Sequence, residues 1–402
     1  MNENRGFLLK RYDSINLGIA VLLAWVPLVS LLGAIYGEYM ASQPIFKILQ
    51  LCYLGAIFNA VPAIFRGKGK KSILVFLFFY FLIYFISSSL CNDKDLKDLV
   101  FRNLYLWCWP YFILAFKIKD FGLLYKTIKI VGYIAILCEI SRLSLFRVIG
   151  IPYSQETGYD VLISLSVFSL AFARERNLYY LIPVGISFFI ILMSGSRGPL
   201  LCGLLLFFLV FIVQNRFSRK TVFAVLAAFI AYIIYSIYQY EILTWFLDFF
   251  NKISVSTRSV EILLSKDIAV DEVRDSLRNT SLQYAIQHPL WGSGLLNDRV
   301  YLYRMGIITS STATVYGSYS HFFFAEVLMQ FGLFPGCILI FILFINLWKR
   351  IFKAVSVSEQ NIFIISVTVG FLPLLVSRSW FTFSLFYLLL GLLFSAKSIN
   401  KC

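Results

Sequence analysis

Long apolar runs, each broken by a short polar link, fill almost the whole chain. They fall near residues 14–37, 44–65, 72–90, 99–116, 128–146, 158–173, 178–194, 199–213, 221–240, 318–346, 361–376 and 380–396. About 20 apolar residues are the length an α-helix needs to cross a bilayer. A helix also satisfies its own backbone hydrogen bonds, as hydrocarbon demands. The pattern predicts an all-α integral membrane protein with about 12 transmembrane helices. Residues 241–317 interrupt it between the ninth and tenth runs. The organisation expected is spans one to nine over 1–240, a large loop over 241–317, and spans ten to twelve over 318–402. One large loop placed late in the chain argues against two equivalent transporter-like halves. Arg5, Lys10 and Arg11 before the first run resemble the start of a signal peptide. The apolar stretch that follows is too long for one, so it reads as a retained span.

Composition and charge sharpen this picture. Of the 402 residues, 59% are hydrophobic and 14% charged, against about 45–50% and about 25% in soluble domains. A soluble enzyme, a disordered chain and a nucleic-acid-binding protein are thereby excluded. The net charge of +15 would suggest a polyanionic partner in a soluble protein, but here the basic residues sort by side. If the N-terminus is inside, the inner links hold the run at 66–71, Lys117, Lys119, Lys126, Lys129, Arg174, Arg176, Arg216, Arg219, Lys220, Lys349, Arg350, Lys353, Lys397 and Lys401. The short outer links hold only Lys94, Lys97, Arg147, Arg197 and Arg378. This positive-inside pattern places both termini in the cytoplasm and the large loop outside. The loop itself, with seven basic and eight acidic residues, is nearly neutral. Seven cysteines lie mostly within apolar runs, none in a C-x-x-C pair, which suggests neither a disulfide framework nor a thiolate metal site.

Three outer segments carry candidate chemistry. Ser194 to Leu200 reads SGSRGPL. Gly198 and Pro199 suit the start of a helix, whose free amides and dipole favour an anion. Arg197 adds a planar fork matched to phosphate oxygens. The competing reading is an arginine that snorkels to the interface. In the second segment, Asp275 to Gly294, a helix is expected from about Val273 to His288, stopped by Pro289. Arg274, Arg278, Ser281 and His288 then fall within about 40° of one line, flanked by apolar residues, while Asn279 and Gln283 face away. The alternative is that the arginines pair with Asp271 or Asp275. His288, beside Pro289, reads as a helix-end cap. The third segment, Gly317 to Gly336, places His321 in a first helical turn capped by Ser318 or Ser320, with Glu326 off its face. Histidine suits proton transfer near neutral pH. Arg378, another outer arginine, is able to join an anion site. Glu139 and Arg142 are spaced to pair with each other, and Thr244 to Ile253 reads as an interfacial helix.

Arginines beside a histidine on the outer face suit a pyrophosphate and the deprotonation of a hydroxyl. Three motifs in order resemble the bacterial O-antigen polymerase and O-antigen ligase superfamily of polytopic glycosyltransferases. SGSRGPL is similar to its S-x-S-R-G segment. Arg278 through IQHPLWGSG resembles its R-x3-W-x2-A…PL-x-G-x-G segment, with Leu282 where Trp is often seen. His321 to Gly332 resembles its H-N-x2-L…E-x-G segment, with Phe322 in place of Asn and Gln330 in place of the acid; no role is assigned to those two. The resemblance implies a GT-C-like architecture in the bacterial inner membrane, its active site facing the periplasm. It implies an undecaprenyl-pyrophosphate-linked oligosaccharide donor and a lipid-linked acceptor, with no metal and no cofactor. Arg197 and Arg278, with Arg274 and Arg378, would hold the pyrophosphate, and His321 would activate the acceptor hydroxyl. A chain-length regulator and a flippase of the same pathway are the implied partners, and no nucleic acid is. A repeat-unit polymerase is the function expected, for O-antigen or capsular polysaccharide in lipopolysaccharide-type biosynthesis. The alternatives are a ligase transferring glycan to lipid A-core, a transporter of lipid-linked oligosaccharide, and an acyltransferase using His321.

Overall fold

In the computed structural model, the structure describes residues 14–65, 69–146, 155–194, 197–215, 238–252, 261, 264, 269–307 and 314–395. Helices dominate and no strand occurs among these residues. They are α1 (Ser14–Tyr36), α2 (Pro44–Phe65), α3 (Lys70–Leu90), α4 (Lys94–Arg102), α5 (Trp109–Phe116), α6 (Phe121–Phe146), α7 (Gln155–Glu175), α8 (Leu181–Met193), α9 (Arg197–Asn215), α10 (Gln239–Lys252), α11 (Ala269–Gln287), α12 (Asn297–Arg304), α13 (Phe323–Phe331), α14 (Leu333–Phe352), α15 (Val357–Ser366) and α16 (Ser384–Phe394). A π-helical stretch, Asn103–Cys108, joins α4 to α5, and another, Val367–Phe371, extends α15 into the 3₁₀ turn Leu372–Leu375.

Nine helical segments among the described residues are long and apolar enough to cross a membrane, and Leu178–Met193 and Ser384–Phe394 are shorter apolar helices. Most of the run expected at 221–240 lies outside the described residues. The tenth expected span differs. Its first part is the separate short helix α13, and the crossing helix begins only at Leu333. Gly332, at φ 90°, makes the break, a left-handed conformation that glycine adopts without steric cost. Lys94 and Lys97, expected in a short outer link, instead lie within α4. Asp93 caps that helix by accepting the Leu96 amide at 2.8 Å. Ser356 caps α15 by accepting the Glu359 amide at 3.1 Å, while Glu359 accepts the Val355 amide at 3.0 Å, a variant of the reciprocal cap.

Every residue of α7 from Thr157 to Ala171 is buried, as expected of a helix ringed by neighbours rather than lying on a surface. It packs on α6, α8 and α9, while α1 lies across α6 and α2. Within this bundle Arg142 pairs with Glu139 at 3.3 Å, as their spacing suggests. Side-chain contacts gather the helix ends into two poles. At one, Lys129 meets Glu175, Arg174 meets Gln360, and Gln360 bonds the Ile351 carbonyl at 2.7 Å. At the other, the Leu295 amide meets Ser87 at 3.3 Å and Asn103 meets the Tyr316 hydroxyl at 2.7 Å. Helices α11 to α13 lie at this second pole, with α11 packed on α13.

Candidate functional site

The second pole is organised by four consecutive residues, Ser377 to Trp380, in the irregular segment before α16. Pro373 lies in the 3₁₀ turn that closes the preceding helical run, and its carbonyl accepts the amides of Ser377 at 2.9 Å and Arg378 at 3.0 Å. The four side chains then tie this segment to α7, α12 and α13. Ser377 Oγ accepts from Gln155 Nε2 at 2.5 Å and shares a proton with the Tyr159 hydroxyl at 2.7 Å, both on α7. Arg378 pairs with Glu156 and lies 5.0 Å over the Tyr159 ring. Ser379 accepts from Arg299 Nη2 at 2.7 Å and donates to Glu326. The Trp380 indole donates to Gln330 at 3.0 Å.

His321 joins this hub directly. Its Nδ1 lies 3.3 Å from the Ser377 carbonyl, which also accepts the Tyr319 hydroxyl at 2.7 Å. A carbonyl only accepts, so Nδ1 carries the proton in this arrangement and Nε2 keeps a lone pair. His321 does not occupy a first helical turn, contrary to expectation. The helix begins at Phe323, Phe322 is its cap residue without a side-chain bond, and His321 stands ahead of it at φ 54°. Phe322 N instead meets Ser320 Oγ at 3.4 Å, tying the turn together. Glu326, on the helix that follows, is buried.

The expected arginines differ in how they approach. Arg197 opens α9, and its helix end abuts the hub: a Cβ on Gly198 would come 2.7 Å from the Tyr159 hydroxyl and 3.5 Å from Gln155 Nε2. Arg274 lies near enough to His321 for its charge to disfavour the imidazolium. Arg278 sits 5.8 Å over the ring of Phe322 but is paired with Asp275 at 2.7 Å, the alternative that the sequence left open. His288 is apart from the others. It follows the end of α11, its amide bonds the Tyr284 carbonyl at 2.9 Å, and its ring packs tilted against Tyr284 with centroids 4.4 Å apart. Fourteen residues of helix put it about 20 Å along the axis from Arg274.

Sequence reading missed Arg299, Asp298, Tyr319, Tyr159 and Ser377. Arg299 is wholly buried. Its guanidinium bonds the Tyr316 carbonyl and lies 4.8 Å from the Tyr316 ring and 5.0 Å from the Tyr319 ring. Asp298 accepts from Gln330 at 2.8 Å. The short, polar α12 offers no apolar period to mark these two as buried.

Burial, together with the charges of Arg274 and Arg299, pushes His321 down to about 4, against the favourable Ser377 carbonyl. Burial raises Asp298 to about 6, opposed by Arg299. No cluster of three or more His, Cys, Asp or Glu suited to a metal occurs among the described residues. The pole therefore offers an imidazole with an open nitrogen, a helix N-terminus and several guanidinium groups.

These features define a multi-pass, helical membrane protein with a cationic polar site at one pole. Residues 182–341 match the family model described as O-antigen ligase, consistent with the O-antigen polymerase and ligase superfamily that the motifs resemble. The match runs from α8 through α11, α12 and α13 into α14 and so contains Arg197, Arg274, Arg278, Arg299 and His321. No curated protein matches the chain.

Proposed function

We propose that this protein is a glycan polymerase of the inner membrane, working at its periplasmic face. It transfers glycan from an undecaprenyl-pyrophosphate-linked donor to a sugar hydroxyl of a lipid-linked acceptor. The observation that carries the reading is the convergence on Ser377 of His321, Arg378 and the N-terminal end of the helix that begins with Arg197. In the reaction, His321 Nε2 takes the acceptor hydroxyl's proton as that oxygen bonds the anomeric carbon. The bond from that carbon to the pyrophosphate breaks, and the leaving group's charge falls to Arg197, Arg378, Arg274 and Arg278. Electrostatic stabilisation of this kind works best in a site from which water is largely excluded. Beside the polar network lies an apolar groove of about 210 Å³, lined among others by Phe76, Val327, Leu343, Trp380 and Phe386. Trp380 belongs to both, which supports a substrate that is polar at one end and lipid at the other.

The test is incubation of purified protein with a lipid-pyrophosphate oligosaccharide. Longer lipid-linked products are expected. The matching family, described as O-antigen ligase, favours a second reading, transfer to lipid A-core. Glycan appearing only on added lipid A-core would establish that reading over polymerisation. Movement of the donor across vesicles without new glycosidic bonds would overturn both.

A further inference from the structure

Arg299 has no part in the transfer just described, yet it is fully buried and placed at the centre of the pole. Three contacts fix it: the Tyr316 carbonyl, Ser379 Oγ at 2.7 Å, and the Tyr319 ring 5.0 Å away. That Tyr319 ring also packs on the imidazole of His321, with centroids 4.0 Å apart and planes tilted by 37°. Tyr319 and His321 share the Ser377 carbonyl. His321 holds a left-handed backbone at φ 54°. For a non-glycine residue such a conformation costs about 1–2 kcal/mol and persists only where surrounding contacts over-determine it.

We infer that Arg299 is a positioning residue: through the Tyr319 ring and the Ser377–Ser379 segment it holds His321 with Nδ1 on the Ser377 carbonyl and Nε2 turned free for the acceptor. The inference rests on the reading of His321 as the base. Arg299 does this by geometry and by charge. Its fork joins the loop carrying Tyr316 to the segment carrying Ser379, so the tyrosine platform cannot drift from the carbonyl. Its fixed charge, deep in the protein, opposes a second cation on the adjoining imidazole. The other titratable groups of this pole do not reverse this. Arg274 and Arg278 of α11, Arg378 and Arg197 are cationic, and Tyr316, Tyr319 and Tyr159 are neutral. Of the carboxylates, Glu156 is paired with Arg378, Asp275 is paired with Arg278, Asp298 accepts from Gln330, and Glu326 stands behind Ser379.

Two histidines in the whole chain make the test direct. Histidine-selective ¹⁵N labelling of the detergent-solubilised protein gives two imidazoles, and His288→Gln assigns them. The wild type is expected to show His321 protonated at Nδ1 and uncharged down to low pH. Arg299→Gln should raise its titration midpoint by about one pH unit and mix the tautomers, moving the acid limb of elongation the same way. Arg299→Lys keeps the charge without the fork, so the midpoint should stay low while the tautomers mix. Arg299→Gln combined with Glu326→Gln removes the buried Glu326 carboxyl that the single variant would strand and serves if that variant unfolds; the same upward shift is expected. An unchanged midpoint and tautomer in folded Arg299→Gln, or in the double variant, overturns the inference. Normal elongation by His321→Ala overturns the base reading instead, and the imidazole signals decide the Arg299 coupling separately.

Discussion

At the scale of single residues, the two histidines separate by their surroundings. His321 has a fixed tautomer, a free Nε2 and cationic neighbours, whereas His288 is exposed and packed against its own helix. His321→Ala should bind the lipid-pyrophosphate donor yet lose about 10²–10⁴-fold in elongation. His288→Ala should cost far less. Measuring donor binding and elongation for both side by side decides this, and a dead His288→Ala beside an active His321→Ala would reverse the assignment. The pH profile carries a further expectation. A base acts when neutral, so activity falls as pH drops through its pKa. In the free protein that lies at about 4 because of burial, Arg274 and Arg299. A bound pyrophosphate is anionic and favours the imidazolium, which must raise the pKa. The acid limb of kcat should therefore lie above the acid limb of kcat/KM. Coincident limbs would mean that the donor's charge does not reach His321. The arginines should also differ in their tolerance of lysine, which keeps the charge but loses the bidentate fork. Arg378, beneath Tyr159 and Phe383, should lose most of its activity on Arg378→Lys. Arg278, also ion-paired but more exposed, should lose less. Steady-state elongation by the two Lys variants at equal expression measures the difference.

At the scale of elements, the site depends on a crossing of chains that the apolar pattern does not display. The segment from Pro289 to Gly294 runs over the break between α13 and α14. The Ser293 and Gly294 amides bond the Met329 and Gln330 carbonyls at 2.8 and 3.0 Å, and the Phe334 amide bonds the Pro289 carbonyl at 3.0 Å. A Cβ on Gly292 would lie 2.3 Å from the Gln330 carbonyl carbon. Backbone cannot yield there as a flexible side chain does. Gly292→Ala should therefore lower the thermal midpoint of the purified protein, consistent with about 1–3 kcal/mol for overpacking. It should cost elongation as well, because Gln330 holds both Asp298 and Trp380. An unchanged midpoint would mean that the crossing is looser than drawn. This crossing also explains what the sequence did and did not disclose. The amphipathic period of α11 was legible because its face repeats over 19 residues. The division of residues 318–346 was not, because both halves are apolar and only one glycine separates them. The helix start at Phe323 was misplaced since two serines looked like caps, yet the chain turns left-handed at His321 first. Ser377 and Tyr159 were invisible for another reason: their importance comes from meeting across 218 residues, and no local spacing encodes that.

At the scale of the whole molecule, the two poles differ in how their positive charge is handled. At the site pole three arginines have partners: Arg378 has Glu156, Arg278 has Asp275, and Arg299 lies among two tyrosines and Ser379. At the opposite pole Lys119, Lys126, Arg176 and Lys353 are exposed, beside Lys129 and Arg350 with their own carboxylate partners. Loops retained in the cytoplasm carry the excess of Lys and Arg, because translocating them is disfavoured. The proposed function requires the site pole to face outward, where a lipid-linked oligosaccharide would be elongated without a soluble nucleotide donor. The orientation is testable without any assay of activity. In a background free of cysteine, single cysteines at Asn279 and Trp291, exposed on the site pole, should react in intact cells with a membrane-impermeant maleimide. Cysteines at Lys119, Arg176 and Val355, exposed on the other pole, should react only after the membrane is permeabilised. Labelling of Val355→Cys in intact cells, with Trp291→Cys protected, would invert the molecule in the bilayer and place His321 and its arginines in the cytoplasm.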